Sequence, residues 1–195
     1  MEDIYKTPQA DIIVGDSTGI DFYVVSTGKF VLLFLLTVSL YGYYWFYKHW
    51  QLQKIKTGES IRPVWRSIFA IFFVHGLFSR VDFNKHALGI NRNWHPDTLA
   101  GIYVLVIIVS GVMDRLSAHS IGIPYTSVSF IPFLLLECYV LYRAQIMINL
   151  VCGDADGEQN RRLTPMNIFW IVIGICFWFV LIIGLVATFY PDIFR

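Results

Sequence analysis

The sequence predicts an all-α integral membrane protein, and three observations support that fold class. Of the 195 residues, 56% are apolar and only 15% are charged, whereas soluble domains carry about 25% charged residues. The apolar residues are gathered in runs close to the ~20 residues that a helix needs to cross a bilayer. One run ends in Tyr and Trp residues followed by lysines, which is typical of a cytoplasmic membrane interface. We therefore expect a bundle of four transmembrane helices with one short re-entrant or interfacial helix.

Residues 1–28 precede the first apolar run and are predicted to form a flexible acidic N-terminal arm. This stretch contains five carboxylates and a single lysine, and it is too short to form a domain of its own. Residues 29–195 are predicted to form one helical membrane domain.

The first predicted span covers residues 30–47, an uncharged run of 18 residues. Its last part is rich in aromatic rings, and lysines follow within ten residues. Amphipathic aromatic side chains favour the headgroup level of a bilayer. The predicted interfacial anchors are Tyr43, Tyr44, Trp45, Tyr47 and Trp50.

Residues 64–78 form a shorter apolar run that contains Arg66 and His75. Apolar runs that fall short of a span are more often buried, re-entrant or interfacial. The basic residues support this interpretation, because the Lys and Arg of short loops set orientation. If the run does not cross, 11 of the 15 basic residues fall on one side, whereas a crossing run divides them 7 to 8. We predict that it does not cross, that the basic side is cytoplasmic and that the N-terminus is outside.

Three further spans are predicted, at residues 98–116, 128–148 and 168–189. The last of them follows Thr164 and Pro165. Threonine is a good N-cap residue, and proline is favoured at the first helical position. We therefore expect the final helix to begin at this pair.

Glu137 is the carboxylate nearest the middle of a predicted span, and it is the main candidate for chemistry. An ionised acid within a bilayer costs ~2.5–3.5 kcal/mol, so this side chain should face protein or water. Two roles fit this position. In the first, the carboxyl carries protons or cations or contacts a ligand headgroup; in the second, it is a neutral group that ties helices together. Its own helix offers no polar partner one turn away. The candidate partners on other segments are Arg66, His75, Tyr103 and Ser110, and the candidate intramembrane polar site is Glu137 with His75 and Arg66.

Basic residues beside the predicted spans form a candidate face for anionic lipids or for a partner. Such clusters attract anionic lipid by about 1 kcal/mol per residue, although lysines that only fix the topology look the same. The residues of this predicted face are Lys48, Lys54, Lys56, Arg62, Arg161 and Arg162.

No motif in the sequence supports enzymatic chemistry, a metal or a cofactor. The three cysteines form no C-x-x-C pair, and the five histidines show no metal-ligand spacing. Nucleophile motifs, a P-loop and a dinucleotide-binding glycine pattern are also absent. The net charge of +1 gives no support for nucleic-acid binding. We expect a protein that is not an enzyme and has no metal, no cofactor and no nucleic-acid partner.

The aromatic block at residues 41–50 reads Y-G-Y-Y-W-F-Y-K-H-W. It resembles the Y-G-x-Y-W-F-Y-K-x-W block of a family of small bacterial multi-pass inner-membrane proteins of unknown function. The resemblance implies a bacterial inner-membrane location, and it transfers no activity and no site residues. Further similar positions downstream are Gly58-Glu59, Trp65-Arg66, the loop Asn149–Asp154 and the pair Thr164 and Asn167.

We interpret the chain as a non-enzymatic inner-membrane protein, an accessory module that interacts with lipids or a partner through its basic face. The alternative is a small transporter or channel subunit in which Glu137 moves protons or cations. Membrane lipids are the expected partners, together with another protein or a second copy of the chain. Replacing Glu137 by Gln separates the two hypotheses, because only the transport hypothesis predicts a loss of flux.

Overall fold

The computed structural model of the protein describes residues 21–190 and residue 192. All regular secondary structure in this part of the chain is helical, which confirms the predicted all-α class. A short 3₁₀ turn at Glu158–Asn160 precedes the last helix. The α-helices are α1 (Thr27–Leu36), α2 (Leu40–Thr57), α3 (Pro63–Ile68), α4 (Ala70–Ala87), α5 (Pro96–Ala118), α6 (Tyr125–Val128), α7 (Phe130–Val151) and α8 (Pro165–Phe189).

The last three predicted spans are long helices in the structure. Among the described residues, α5, the α6–α7 pair and α8 are the helices long and apolar enough to cross a membrane. α8 begins where predicted, because Thr164 and Asn167 cap it by exchanging two hydrogen bonds between side chain and backbone N–H. The predicted count of four spans is not confirmed, because the first predicted span has a different structure.

The first predicted span, residues 30–47, is broken in the middle and is not one continuous helix, which corrects the sequence prediction. Val38 and Ser39 separate α1 from α2 and have φ angles of 50° and 64°. These left-handed values end α1 and reverse the chain. The Thr37 hydroxyl joins the two helices at the break: it donates to a carbonyl of α1 (2.7 Å) and accepts from an N–H of α2 (3.0 Å).

α2 folds back along α1, so the two helices form a hairpin. The ring of Phe30 in α1 lies 5.9 Å from the ring of Tyr41 and 6.1 Å from the ring of Trp45, both in α2. A straight helix would separate positions 30 and 45 by about 22 Å. With 10 residues, α1 is about 15 Å long, which is half of a ~30 Å hydrocarbon core.

The tip of this first hairpin reaches the middle of α8. The indole N–H of Trp178 donates to the Leu35 carbonyl over 2.9 Å. Gly174 lies so close to the tip that a Cβ atom there would be 2.1 Å from the Leu36 carbonyl oxygen. Both contacts lie near the centre of the 25-residue helix α8, so the chain reverses at mid-depth of the bundle.

The predicted short helix at residues 64–78 is a second hairpin, made of α3 and α4, which turns at Phe69. The guanidinium groups of Arg66 and Arg80 lie over the same indole ring, that of Trp50, at 4.3 and 5.7 Å from its centroid. A straight helix would hold positions 66 and 80 about 21 Å apart. The chain therefore also reverses direction between α3 and α4. Residues 63–78 do not form one helix along the length of the bundle.

Residues 21–26 pack into the core without forming a helix, which corrects the predicted flexible arm in its described part; residues 1–20 lie outside the described residues. Phe22 and Val25 are fully buried. Buried non-helical backbone needs hydrogen-bond partners, and side chains from α2, α7 and the α7–α8 loop donate to five consecutive carbonyls of this segment. The donors are Gln53, Cys152, Gln145, Asn160 and Asn149, for the carbonyls of residues 21 to 25 in that order.

Both hairpins begin and end at the same end of the molecule, which we call the basic end. Asp21 forms an ion pair with Lys56 beside the C-terminus of α2, so the start of the described chain and residues 58–62, which connect α2 to α3, share this end. The predicted outside position of the N-terminus falls on residues outside the described part. The start of α5, the end of α7 and the start of α8 lie here too, and the opposite end holds the other ends of these helices. Of the 13 described Lys and Arg residues, only Arg115 lies toward the opposite end.

Candidate functional site

The tips of the two hairpins meet around Glu137 of α7. A cavity of about 120 Å³, which we call the tip cavity, lies between them. Ser39 and Gly42 line it from the first hairpin, Ser67 and Ala70 from the second, and Glu137 from α7. The sequence pattern of apolar runs gave no sign of this meeting point, because it depends on two chain reversals.

A second cavity adjoins the tip cavity and also includes Glu137. This central cavity has a volume of about 160 Å³. Val38 and Ser39 line it from the hairpin tip, and Ser110 and Asp114 line it from α5. Glu137 is thus the carboxyl shared by both cavities.

The Glu137 carboxyl makes no hydrogen bond and no ion pair with any other described residue. Two of its four predicted partners are nearby, since Tyr103 lines the tip cavity and Ser110 the central cavity. The other two are elsewhere: His75 is exposed on α4, and Arg66 stacks on an aromatic ring of α2. The predicted trio of Glu137, His75 and Arg66 is not brought together.

The first hairpin presents unusual backbone to the central cavity. Val38 is β-branched, and a positive φ is a genuine outlier for such a residue. Strained backbone of this kind persists where the surrounding structure holds it, often at ligand or switch sites. Non-helical backbone at membrane depth also requires either protein around it or a water-filled cavity beside it.

Two of the predicted interfacial anchors, Trp45 and Trp50, belong to the core. Their exposed fractions are 0% and 1%. The indole N–H of Trp45 donates to the side-chain oxygen of Gln145 in α7. Tyr43 and Tyr44 point outward, with about half of their surface exposed. The hairpin explains the difference, because folding α2 back along α1 turns one side of the aromatic block inward.

His49 is a buried residue that the sequence patterns did not single out. Its imidazole is fully buried beside Trp45, with ring centroids 4.2 Å apart. Nδ1 accepts a hydrogen bond from the N–H of Tyr23, and Nε2 has no partner among the described residues. Burial lowers the pKa of His49 to about 3, so the ring is neutral. A lone histidine in an aromatic stretch carries no spacing that could have revealed this.

The residues of the predicted basic face share the basic end but differ in their partners. Lys56 pairs with Asp21, and Arg161 pairs with Glu158 at 2.7 Å. The side chains of Lys54, Arg62 and Arg162 form no hydrogen bond or ion pair with another described residue, and Lys48 contacts Gln51 at 3.3 Å. Nearby, Arg80 donates to Glu59 over 2.6 Å, and this bond holds the pKa of the Glu59 carboxyl below its usual value.

No group of three or more His, Cys, Asp or Glu side chains in the described part of the chain is arranged to hold a metal ion. Comparison with protein-family models, with curated proteins and with solved structures finds no match. The similarity of the aromatic block to a bacterial family therefore stays a prediction, and the site is interpreted from its geometry.

Proposed function

We propose that the chain is a small integral membrane transporter or channel subunit in which Glu137 takes up and releases protons. The observation that supports this proposal is an unpaired carboxyl at mid-depth of the bundle, beside the tips of the two helical hairpins. In the proton step, the Glu137 carboxylate accepts a proton from a hydronium ion and leaves a water molecule, and the reverse step releases the proton.

A purely structural role for Glu137 would need a partner on another element. An ionised carboxyl within the bilayer costs ~2.5–3.5 kcal/mol, and a neutral one that ties helices together would gain stability through a hydrogen bond. No described residue makes one with Glu137. Intramembrane acids that face a cavity commonly mark ion or proton pathways.

Interrupted helices also favour this function. In secondary transporters, discontinuous helices meet near the bilayer midplane, and their free ends form the substrate or ion site. Here the tips of the α1–α2 and α3–α4 hairpins line one cavity with Glu137. Both hairpins enter from the same end, and their tips meet beside the Glu137 carboxyl.

We further propose that α5, α7 and α8 span a bacterial inner membrane, with the two hairpins re-entrant and the basic end in the cytoplasm. The positive-inside rule supports this orientation, because 12 of the 13 described Lys and Arg residues lie toward the basic end. This orientation also places Asp21 on the cytoplasmic side.

The second candidate is the accessory module that binds anionic lipid or a partner at the basic end. It is favoured by the unpaired side chains of Lys54, Arg62 and Arg162. This function does not need the cavities around Glu137, so the two candidates predict opposite results when that residue is changed.

Proton flux into proteoliposomes carrying a pH-sensitive dye tests the proposal. We expect Glu137→Gln to lower flux at least tenfold while the amount of folded protein stays the same. Glu158→Gln is the matched control, because that carboxyl is exposed in the loop at the basic end and should leave flux unchanged. Wild-type flux equal to that of protein-free liposomes, or unchanged flux in Glu137→Gln, would contradict the proposal.

A further inference from the structure

A third cavity leads from the central cavity to the opposite end of the molecule. This outer vestibule has a volume of about 550 Å³ and is lined by residues of α5, α6, α7 and α8 and by Val38 at the tip of the first hairpin. Asp114 lines both the outer vestibule and the central cavity, just as Glu137 lines both the central cavity and the tip cavity. The volumes of the three cavities are about 550, 160 and 120 Å³ in the order from the opposite end inward.

Polar side chains follow this route along one face of α5. Ser110, Asp114 and Ser117 are spaced four and three residues apart, which places them in a row on a helix. Ser117 shares a hydrogen bond of 2.9 Å with Ser127 at the wall of the vestibule. Asp114 is exposed and pairs with no described residue. The hydroxyl and carboxyl oxygens of this row can bind water between the opposite end and the central cavity, which Glu137 also lines.

The route toward the basic end is closed by packed aromatic side chains. Trp45, Phe46 and Trp50 of α2 have exposed fractions of 0 to 1%. In the same layer, Gln145 and Asn149 of α7 bond to each other over 2.6 Å and to backbone carbonyls. The cavities at the basic end share no described lining residue with the tip cavity or the central cavity, so these packed rings separate them from Glu137.

We propose that the structure is the state in which Glu137 exchanges protons with the opposite end only, and that Asp114 is the carboxyl at the entrance of this path. The inference rests on the proposed function and adds the side and the route of access. The carboxylate of Asp114 attracts cations into the vestibule, and the hydroxyls of α5 order the water that relays protons. The titratable groups around Glu137 are Tyr43 of α2, Tyr103 and Asp114 of α5 and Cys138 of α7, and the described residues of α3 and α4 that line the tip cavity contribute none.

Labelling of a cysteine placed in the path tests the side of access. Ser110→Cys in a Cys176→Ser background should react with an impermeant methanethiosulfonate at least tenfold faster when the reagent is added at the opposite end of oriented vesicles. Gly111→Cys is the matched control, since that neighbouring position is exposed and lines none of these cavities; within lipid it should stay unreactive from both sides. Ser60→Cys marks the basic end and Ile121→Cys the opposite end, and both positions are exposed. Their labelling therefore reports the orientation of the protein in the vesicles.

The role of Asp114 has its own readout. Asp114→Asn should slow labelling of Ser110→Cys by a cationic reagent by about tenfold relative to an anionic one, because a carboxylate in a narrow cleft concentrates cations. Asp114→Glu should restore the ratio, which a merely structural role would not require. An unchanged ratio in Asp114→Asn would overturn the assignment of Asp114 as the entrance.

The outcomes separate the two proposals. If Glu137→Gln abolishes flux but Ser110→Cys reacts faster from the basic end, equally from both ends or from neither, the access route is wrong and Glu137 remains the proton site. If Glu137→Gln leaves flux unchanged, the proposed function fails whatever the labelling pattern. Loss of flux together with one-sided labelling from the opposite end supports both.

Discussion

The two halves of α7 differ in whether their polar side chains form hydrogen bonds. Toward the basic end, Gln145 accepts from the Trp45 indole and donates to the carbonyl of Tyr23 and to Asn149. Two turns closer to the opposite end, Glu137 lines two cavities and bonds to no described residue. Buried polar groups in proteins are nearly always paired. Gln145 and Asn149 therefore hold the fold together, whereas Glu137 has no partner among the described residues.

In the basic half, polar side chains with fixed partners hold the buried segment at residues 21–26 in place. The buried segment at residues 21–26 has no helix to satisfy its peptide groups, and Gln145 and Asn149 supply that need from α7. The opposite half contains the hairpin tips and the cavities. Substitutions of the paired polar residues in the basic half should lower the free energy of unfolding, and substitutions of Glu137 should alter function alone.

Gln145→Leu tests this contrast with the largest expected effect on stability. The substitution leaves the Trp45 N–H, the Tyr23 carbonyl and the side-chain oxygen of Asn149 each without a partner, and an unsatisfied buried group costs about 1–3 kcal/mol. We expect a loss of at least about 3 kcal/mol in the free energy of unfolding, measured by reversible denaturation in mixed micelles. Glu137→Gln should change the same quantity by less than about 0.5 kcal/mol. Equal losses in both variants would remove the distinction between the halves.

Gly174→Ala should break the docking of the first hairpin on α8. A methyl group there would lie 2.1 Å from the Leu36 carbonyl oxygen, and backbone cannot move aside as easily as a flexible side chain. Overpacking of this kind costs about 1–3 kcal/mol, visible as a lower thermal unfolding midpoint in detergent. Gly184→Ala on the same helix is the control, because a Cβ at that position meets nothing within 4 Å. A Gly174→Ala protein as stable as Gly184→Ala would mean that the hairpin tip is not seated on α8.

Acid should weaken the packed basic half through His49. The pKa of its imidazole is 6.5 in an ordinary setting and about 3 in the folded protein. Between these values the unfolded chain binds the proton and the folded chain does not, so stability is complete above pH 6.5 and falls as the pH drops. The slope reaches about 1.4 kcal/mol per pH unit. Unfolding measured from pH 7 to 5 should show this slope in wild type and in the exposed-site control His75→Gln. A His49→Gln variant that retains the full slope would place the titrating group elsewhere.

The stacking of Arg66 on Trp50 should contribute least. The guanidinium carbon lies 4.3 Å from the ring centroid, and a partly exposed cation–π contact is worth about 0.5–1 kcal/mol. Arg66→Gln should therefore lower the free energy of unfolding by no more than about 1 kcal/mol and should leave proton flux unchanged. A loss of flux in this variant would return Arg66 to the functional site predicted from sequence.

Sequence patterns predicted the helical class, the three long apolar helices and the cap at Thr164, because hydropathy and capping chemistry act locally. They did not predict that residues 30–47 form a hairpin. Hydropathy is the same for one long helix and for two short ones. The reversal depends on positive φ at Val38 and Ser39, and a β-branched residue such as Val38 is not expected at positive φ. The turn at Phe69 likewise contains neither Gly nor Pro.

Glu137 was predictable as a site residue, and its surroundings were only partly so. Its position within an apolar run singled it out, and Tyr103 and Ser110 were among its candidate partners. The neighbours supplied by the hairpin tips, Ser39 and Ser67, follow from chain reversals that bring distant residues together. His49 and Gln145 were missed for a similar reason, because their contacts depend on the burial of residues 21–26.

The most direct test of this account asks on which side of the membrane the first hairpin begins and ends. Gly28→Cys and Ser60→Cys lie at exposed positions on either side of residues 30–47, and Ile121→Cys lies at an exposed position near the opposite end. In a Cys176→Ser background, an impermeant thiol reagent applied to intact cells and then to inverted vesicles reports the side of each position. If residues 30–47 form a re-entrant hairpin, Gly28→Cys and Ser60→Cys react from the same side and Ile121→Cys reacts only from the other. Reaction of Gly28→Cys and Ser60→Cys from opposite sides would show that residues 30–47 cross the membrane and would rule out the re-entrant hairpin on which the proposed proton site depends.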